Sequence, residues 1–190
     1  MVTCKSCKNS DAQVTQFKNM GILCTRCFCK CIEKRVRREL RTQNPLVPHT
    51  RIGVLDNGSK EFVVCMHILK GISQEMPLQI IVIKPPIDPG LYDQIVLPWD
   101  ADDESESGLR RIFDNIDVEF SGLKMLSCVS DAEVMIMAKA LGWSRDEEQA
   151  HSDYHKFLLE TEKKYPGSIF GFVRSTGIIK KLPKGYISVK

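Results

Sequence analysis

Arg51-Ile52-Gly53-Val54-Leu55-Asp56-Asn57-Gly58-Ser59-Lys60-Glu61-Phe62 is the stretch that decides the fold class. Its first five residues form a short strand-like run. Asp56-Asn57-Gly58-Ser59 is turn chemistry, because Asn, Asp and Ser side chains hydrogen-bond nearby backbone and glycine accepts positive φ. From Lys60 to Ile72 the apolar positions Val63, Val64, Ile68 and Ile72, with His67, follow a helical period. Strand, glycine turn and helix in that order open a βαβ unit.

Downstream the pattern repeats. Leu78–Ile83 is a β-branched run ended by Lys84-Pro85-Pro86, and it reads as a strand buried on both faces. Gln94–Leu97 reads as a third strand, followed by a helix from about Asp102 to Ile116. Val118–Leu126 contains a fourth. Helices are expected over Asp131–Leu141, capped by Ser130 or Asp131, and over Glu147–Lys164. This alternation predicts an α/β fold with a mainly parallel sheet and helices on both faces. Ligands in such folds bind beyond the carboxyl ends of the strands. Two segments fall there: the turn with Gly58, Ser59 and Lys60, suited to an anion, and the acidic stretch with Asp102 and Asp103, suited to Mg²⁺ or a nucleotide.

Upstream, Pro45 and Pro48 mark a linker that ends near residue 50. Ahead of it the chain changes character. Six of the eight cysteines lie between Cys4 and Cys31. Through Arg51 there are 11 Lys/Arg against 3 Asp/Glu, so the formal net charge of +3 conceals a basic head on an acidic body. Cys4-x2-Cys7 and Cys24-x2-Cys27 have the spacing of a four-cysteine zinc site: each pair of thiolates turns onto one ion, and the intervening hairpin brings the pairs together. Cys29 and Cys31 extend the second pair and leave open another ligand set or an iron–sulfur cluster. Cys65 and Cys128 read as packing residues. A helix follows the cysteines, with Ile32, Val36 and Leu40 on one stripe; Lys34, Arg35, Arg37, Arg38 and Arg41 form a candidate phosphate-binding surface. His151 and His155 are expected to face solvent.

Three segments are thus expected: a zinc module over 1–32, a basic helix and linker over 33–50, and an α/β domain over 51–190. With 43% hydrophobic and 27% charged residues, disordered and collagen-like classes are excluded. No run of 18 apolar residues predicts a membrane span, and no apolar segment after Met1 predicts a secretory signal. A cytoplasmic setting is therefore expected, in which clustered cysteines hold metal and not disulfides.

Taken in order, these motifs resemble the tRNA 2-thiouridine synthetase group of PP-loop ATPases, in which a zinc module and basic helix precede a strand running into S-G-G-K-D-S. Asn57-Gly58-Ser59-Lys60-Glu61-Phe62 stands where that loop would be, His67 matches a histidine on the next helix, and Trp99-Asp100-Ala101-Asp102-Asp103-Glu104 is similar to its H-N-L-D-D-E segment. Tyr165-Pro166-Gly167 and Arg174-Ser175 resemble its Y-P-G and R-S pairs. The resemblance implies a Rossmann-like PP-loop fold, ATP with Mg²⁺, and adenylation of a uridine before sulfur transfer. This chain departs at the chemistry. Asn57, Ser59 and Phe62 replace two serines and a glycine of the loop, and the body carries no cysteine besides Cys65 and Cys128. The chain is also shorter than those enzymes. The expected function is a degenerate subunit of tRNA 2-thiolation with no catalytic residues, binding nucleotide weakly if at all, with tRNA and either a catalytic subunit or a second copy as partners. A divergent ATP-dependent tRNA adenylyl or sulfur transferase, and a scaffold in an unrelated complex, are the alternatives.

Overall fold

A computed structural model describes residues 3–9, 21–43, 45–114, 116, 122–145 and 152–179. Strand β1 (Arg51–Leu55) lies at the centre of a three-stranded sheet in the order β2 (Gln79–Ile83), β1, β3 (Gln94–Val96), all parallel. Ile52 and Val54 are fully buried, as the central strand of a parallel sheet requires. Beyond β3 the sheet continues through single parallel bridges, Val96 with Leu123 and Asp100 with Leu126. These hold the described part of the expected fourth strand; residues 117–121 lie outside the described residues.

Four of the helices begin beside side chains that engage the backbone N–H groups at their start. Ser59 caps α2 (Lys60–Ser73), and Asp100 with Asp103 forms a capping box on α3 (Ala101–Phe113). Ser130 and Glu133 do the same for α4 (Asp131–Ala140), and Ser152 caps α5 (Asp153–Lys164). The start expected for α5 at Glu147 lies outside the described residues.

The pattern missed α6 (Ser168–Ile179), whose Gly171, Gly177 and β-branched residues are poor helix formers. Tertiary contact stabilises it instead. Ser105 on α3 donates to the Ile169 carbonyl at 3.0 Å. Gly108 lets the helices meet, since a Cβ there would lie 2.1 Å from Thr176 Cγ2.

Helix α1 runs from Thr25 to Gln43, starting inside the cysteine segment and not at Ile32. Phe28, Ile32, Val36 and Leu40 recur every four residues and are buried in one core with Val54, Val64, Ile68, Leu126 and Met137. The head is thus packed on the body through a continuous apolar cluster.

The expectation that Leu78–Ile83 is buried on both faces is corrected. β2 is an edge: Ile81 is 39% exposed, Val82 47%, and only Ile83 is buried. A β-branched run signals strand but does not say where in the sheet it lies. Helical cover is also incomplete. At Gly53 the sheet is covered by Tyr92, from the connection between β2 and β3, whose ring carbon lies 3.0 Å from where a Cβ would stand.

Candidate functional site: a four-thiol centre, a basic helix face and an acidic cleft

The first pair of cysteines sits in a tight knuckle. The Cys4 carbonyl accepts from Lys8 N–H at 2.9 Å, Lys8 has a φ of 64°, and the Cys4 N–H donates to Asn9 at 2.8 Å. Lys5 N–H donates to the Ile22 carbonyl at 2.9 Å, which ties the knuckle to the strand of chain before α1. Cys24 and Cys27 flank the first turn of α1. The four Sγ atoms of Cys4, Cys7, Cys24 and Cys27 lie within 4.8 Å of one another, with Cys7 and Cys24 at 3.7 Å. A tetrahedral ion with metal–sulfur bonds of about 2.3 Å separates its thiolates by about 3.8 Å, so this set fits one ion. A cubane cluster ligates each cysteine through a different iron and needs a wider set. Backbone N–H groups of Cys7 and then Cys24 lower the Cys4 thiol to about 6, which favours the thiolate a metal requires. Cys29 and Cys31 lie outside this set, partly buried against the core; burial raises the Cys29 thiol.

The basic residues of α1 divide into two groups. Arg35 turns inward: it makes two hydrogen bonds to the buried Glu133 carboxylate on α4, at 2.7 and 3.0 Å, and one to the Cys128 carbonyl at 3.2 Å. Arg37 pairs with Glu75 at 2.7 Å near the end of α2. Both are thus engaged within the chain, and neither joins the outer face expected of them. Lys34, Arg38 and Arg41 are exposed. With the exposed Arg26 and Lys30 they form a line at four- and three-residue intervals, about 22 Å long at 1.5 Å per residue. The four-residue spacing was present in the sequence; Arg26 and Lys30 were missed because the helix was started at Ile32.

At the carboxyl ends of the strands lies an open cleft of about 340 Å³. Its loop is closed on itself. Asp56 Oδ1 accepts from Gly58 N–H at 3.0 Å, Asn57 Oδ1 from Ser59 N–H at 3.2 Å, and Ser59 Oγ from Phe62 N–H at 3.4 Å. Gly58 takes the positive φ of 70° that this turn needs. Those N–H groups are therefore spent locally and do not form an open anion cradle. Lys60, expected beside a phosphate, is 1% exposed and pairs with Asp131 at 2.8 Å and Glu61 at 3.1 Å. Asp102 and Asp103 reach the cleft as expected, but each also holds structure: Asp102 accepts from the Asp131 N–H at 2.7 Å, and Asp103 from the Asp100 N–H at 3.3 Å. The acidic set with oxygens close enough for one cation is instead Glu61, Asp100 and Asp131, drawn from three elements the sequence could not bring together.

His155 is corrected: it is 8% exposed and lines the cleft, with Nδ1 3.9 Å from Glu106. His151 lies outside the described residues. No cysteine lines the cleft among the described residues. Cys65 is fully buried, with its thiol raised strongly by burial, and burial pushes Cys128 up to about 12.

Burial, then the neighbouring Asp103 and Asp102, raises the Asp100 carboxyl well above the usual range. Desolvation in the cleft, with the Glu61, Asp131 and Asp102 carboxylates, pushes Asp103 up to about 7. A carboxyl whose pKa is raised on folding stabilises in acid, and that stability is lost as pH rises through the folded value. The melting temperature is therefore expected to fall as pH rises from about 4, near the unfolded value, to about 7, the folded one. Asp103→Asn should flatten that fall while leaving the value below about pH 4 nearly unchanged; a slope identical to the parent's would sink the assignment.

No family model matches the chain. Over 88 residues, 46% of its length, it is 26% identical to cytoplasmic tRNA 2-thiolation protein 1 of two Saccharomyces cerevisiae strains, and the match spans 24% of that protein. The U34-tRNA thiolase NcsA from Methanococcus maripaludis, solved with its [4Fe-4S] cluster, superposes with a TM-score of 0.76 at 13% identity, covering 96% of this chain and 89% of that one. No described helix is long and apolar enough to cross a membrane. The resemblance carried by Arg51–Phe62 is thus borne out: the chain has the PP-loop thiolase fold with a four-cysteine site that can hold a metal, and over part of its length it is similar in sequence to a cytoplasmic tRNA 2-thiolation protein.

Proposed function

We propose that this chain is a non-catalytic subunit of cytoplasmic tRNA 2-thiolation, which holds tRNA for a catalytic partner. Zinc occupies the four-thiol site and fixes the knuckle against the start of α1. The exposed line Arg26, Lys30, Lys34, Arg38 and Arg41 follows the phosphates of one RNA strand. The observation that carries the non-catalytic part is the closed loop: Gly58, Ser59 and Phe62 N–H groups bond to the loop's own side chains, and Lys60 is neutralised by carboxylates. A triphosphate entering the cleft meets Glu61, Asp100, Asp103 and Asp131 with no open cradle. The cleft also offers no thiol among its lining residues to carry sulfur. The α/β body then serves to dock on the partner.

Binding of tRNA measured by fluorescence anisotropy tests this reading. Affinity should fall with salt at a logarithmic slope of about −3 to −4, as expected for four or five phosphate contacts. Lys34→Glu with Arg38→Glu should weaken binding more than tenfold, in line with about 1.4 kcal/mol per decade. Absence of binding at low salt would remove tRNA from the proposal. Micromolar ATP binding abolished by Lys60→Ala would favour the ATP-dependent transferase instead.

A further inference from the structure

Arg37, Leu40 and Arg41 stand at i, i+3 and i+4 near the end of α1, so they share one face of that helix. Opposite them are Ile72, in the last turn of α2, and Glu75 and Met76, whose N–H groups both donate to the Ile72 carbonyl at 3.0 Å. With Leu46 from the linker they line an open groove of about 340 Å³. Its character is the reverse of the acidic cleft. Leu40, Leu46, Ile72 and Met76 supply apolar surface, and the charge is two arginines against one glutamate. Arg37 donates to one Glu75 oxygen at 2.7 Å and so ties the two walls together. The pair stays reachable, with the Glu75 side chain 65% exposed. Among the described residues nothing donates to the other Glu75 oxygen, and Arg41 makes no ion pair. Arg41 also ends the exposed line Arg26, Lys30, Lys34 and Arg38, so a strand that follows the line is delivered to the groove.

We propose that this groove takes one unstacked nucleobase of the RNA strand whose phosphates lie along α1. The inference rests on the tRNA-binding reading and adds a base contact to it. Ligand pockets are mostly apolar, with a few polar groups that set orientation. RNA is read largely through unstacked bases, packed on flat side chains and hydrogen-bonded along their edges. Here Arg41 pairs with the phosphate of the inserted nucleotide. The base lies among Leu40, Leu46, Ile72 and Met76, and its edge meets the Arg37–Glu75 pair. A guanidinium only donates and a carboxylate only accepts. Each of the four bases carries an N–H donor beside an acceptor on its pairing edge, so the groove holds a base without choosing which. An apolar protein segment would cover the same aliphatic surface, but it would take water from Arg41 and from the second Glu75 oxygen and return no partner. A nucleotide supplies both, a phosphate for the first and a base N–H for the second.

Two single-stranded RNAs of equal length, one normal and one abasic throughout, test this by fluorescence anisotropy on the full chain. The normal strand should bind about tenfold more tightly, the advantage of one base held in a site. The salt slope should be the same for both, because their phosphates are the same. Leu46→Trp, which fills the groove from the linker, should abolish the tenfold difference and leave the abasic strand's affinity unchanged. Methyl NMR of the parent chain should show the Ile72 and Met76 signals shifting with the normal strand and not with the abasic one. That measurement decides alone if Leu46→Trp disturbs the fold. Equal affinity for the two strands, with a normal salt slope, overturns the base site, leaves the tRNA-binding reading standing and returns the groove to an apolar protein segment. A tenfold difference with unmoved Ile72 and Met76 methyls puts the base elsewhere and also overturns it. Binding of neither strand at low salt overturns the tRNA-binding reading, and the base site with it.

Discussion

Cys4→Ser should abolish stoichiometric zinc binding and unfold the N-terminal knuckle while the α/β body stays folded. Cys4 is fully buried and sits in one cluster with Leu23 and Phe28, so losing it opens both the metal site and the outer end of the core. A knuckle this small has too little apolar area to fold unaided, and structural zinc contributes about 10–16 kcal/mol to comparable modules. The body should survive because Ile52, Val54, Val64 and Ile68 form its own buried centre and α1 still packs through Ile32, Val36 and Leu40. Metal analysis should therefore fall from about one ion per chain to a small fraction. Exchange protection should be lost at Lys5 and Lys8, whose N–H groups close the knuckle, and kept at Val54. Affinity for tRNA should fall about tenfold, as Arg26 and Lys30 lose their fixed spacing at the frayed end of α1. Cys29→Ser and Cys31→Ser should leave metal content unchanged. Full zinc loading of Cys4→Ser would overturn the ligand assignment, and iron in place of zinc would overturn the choice of metal.

Arg35→Ala is expected to destabilise the chain by about 3–5 kcal/mol, the usual cost of leaving a buried charge without its partner. Glu133 has a side chain only 1% exposed, and its carboxylate receives both Arg35 contacts while Ser130 N–H donates to it at 3.1 Å. It thus joins α1 to α4 and caps α4 with the same group. Removing the guanidinium keeps the carboxylate buried and removes its counter-charge. Arg35→Met combined with Glu133→Leu should be markedly less damaging than Arg35→Ala, because no charge is stranded; the lost cap still costs about 1 kcal/mol. Urea unfolding of Arg35→Met, Glu133→Leu and the double measures the coupling. A loss below about 1 kcal/mol for Arg35→Ala would show the pair to be solvent-screened like a surface salt bridge. The substitution also separates the roles of the arginines, since Arg38→Ala on the exposed face should leave stability nearly unchanged.

The reach of the sequence differed from one feature to another. Local rules were sufficient where the signal is local. The strand, turn and helix from Arg51 to Ser73 follow from β-branched residues, an Asx-rich glycine turn and a 3.6-residue period. The two C-x2-C pairs identified the four thiols that converge, because ligand spacing is a property of the chain itself. Altered residues at 57, 59 and 62 were also visible without coordinates.

Tertiary structure decided the rest, since each remaining question concerned residues distant in sequence. Whether an arginine on α1 faces solvent or a carboxylate depends on Glu133, 98 positions away. Lys60 became a buried counter-ion because α4 brings Asp131 beside it, and a poor helix former became α6 because Gly108 on α3 leaves room for Thr176. β2 shows the limit most clearly. A run of Ile and Val states that it belongs in a sheet, but the number of neighbours it finds there is fixed by the path of the whole chain. By itself the sequence determined the α/β class, the four cysteines that converge and the positions at which the loop departs from the pattern it resembles. Only the packed chain decided which charges are spent inside it and which surfaces are left to bind others, because burial is a property of the assembled core and not of any one segment.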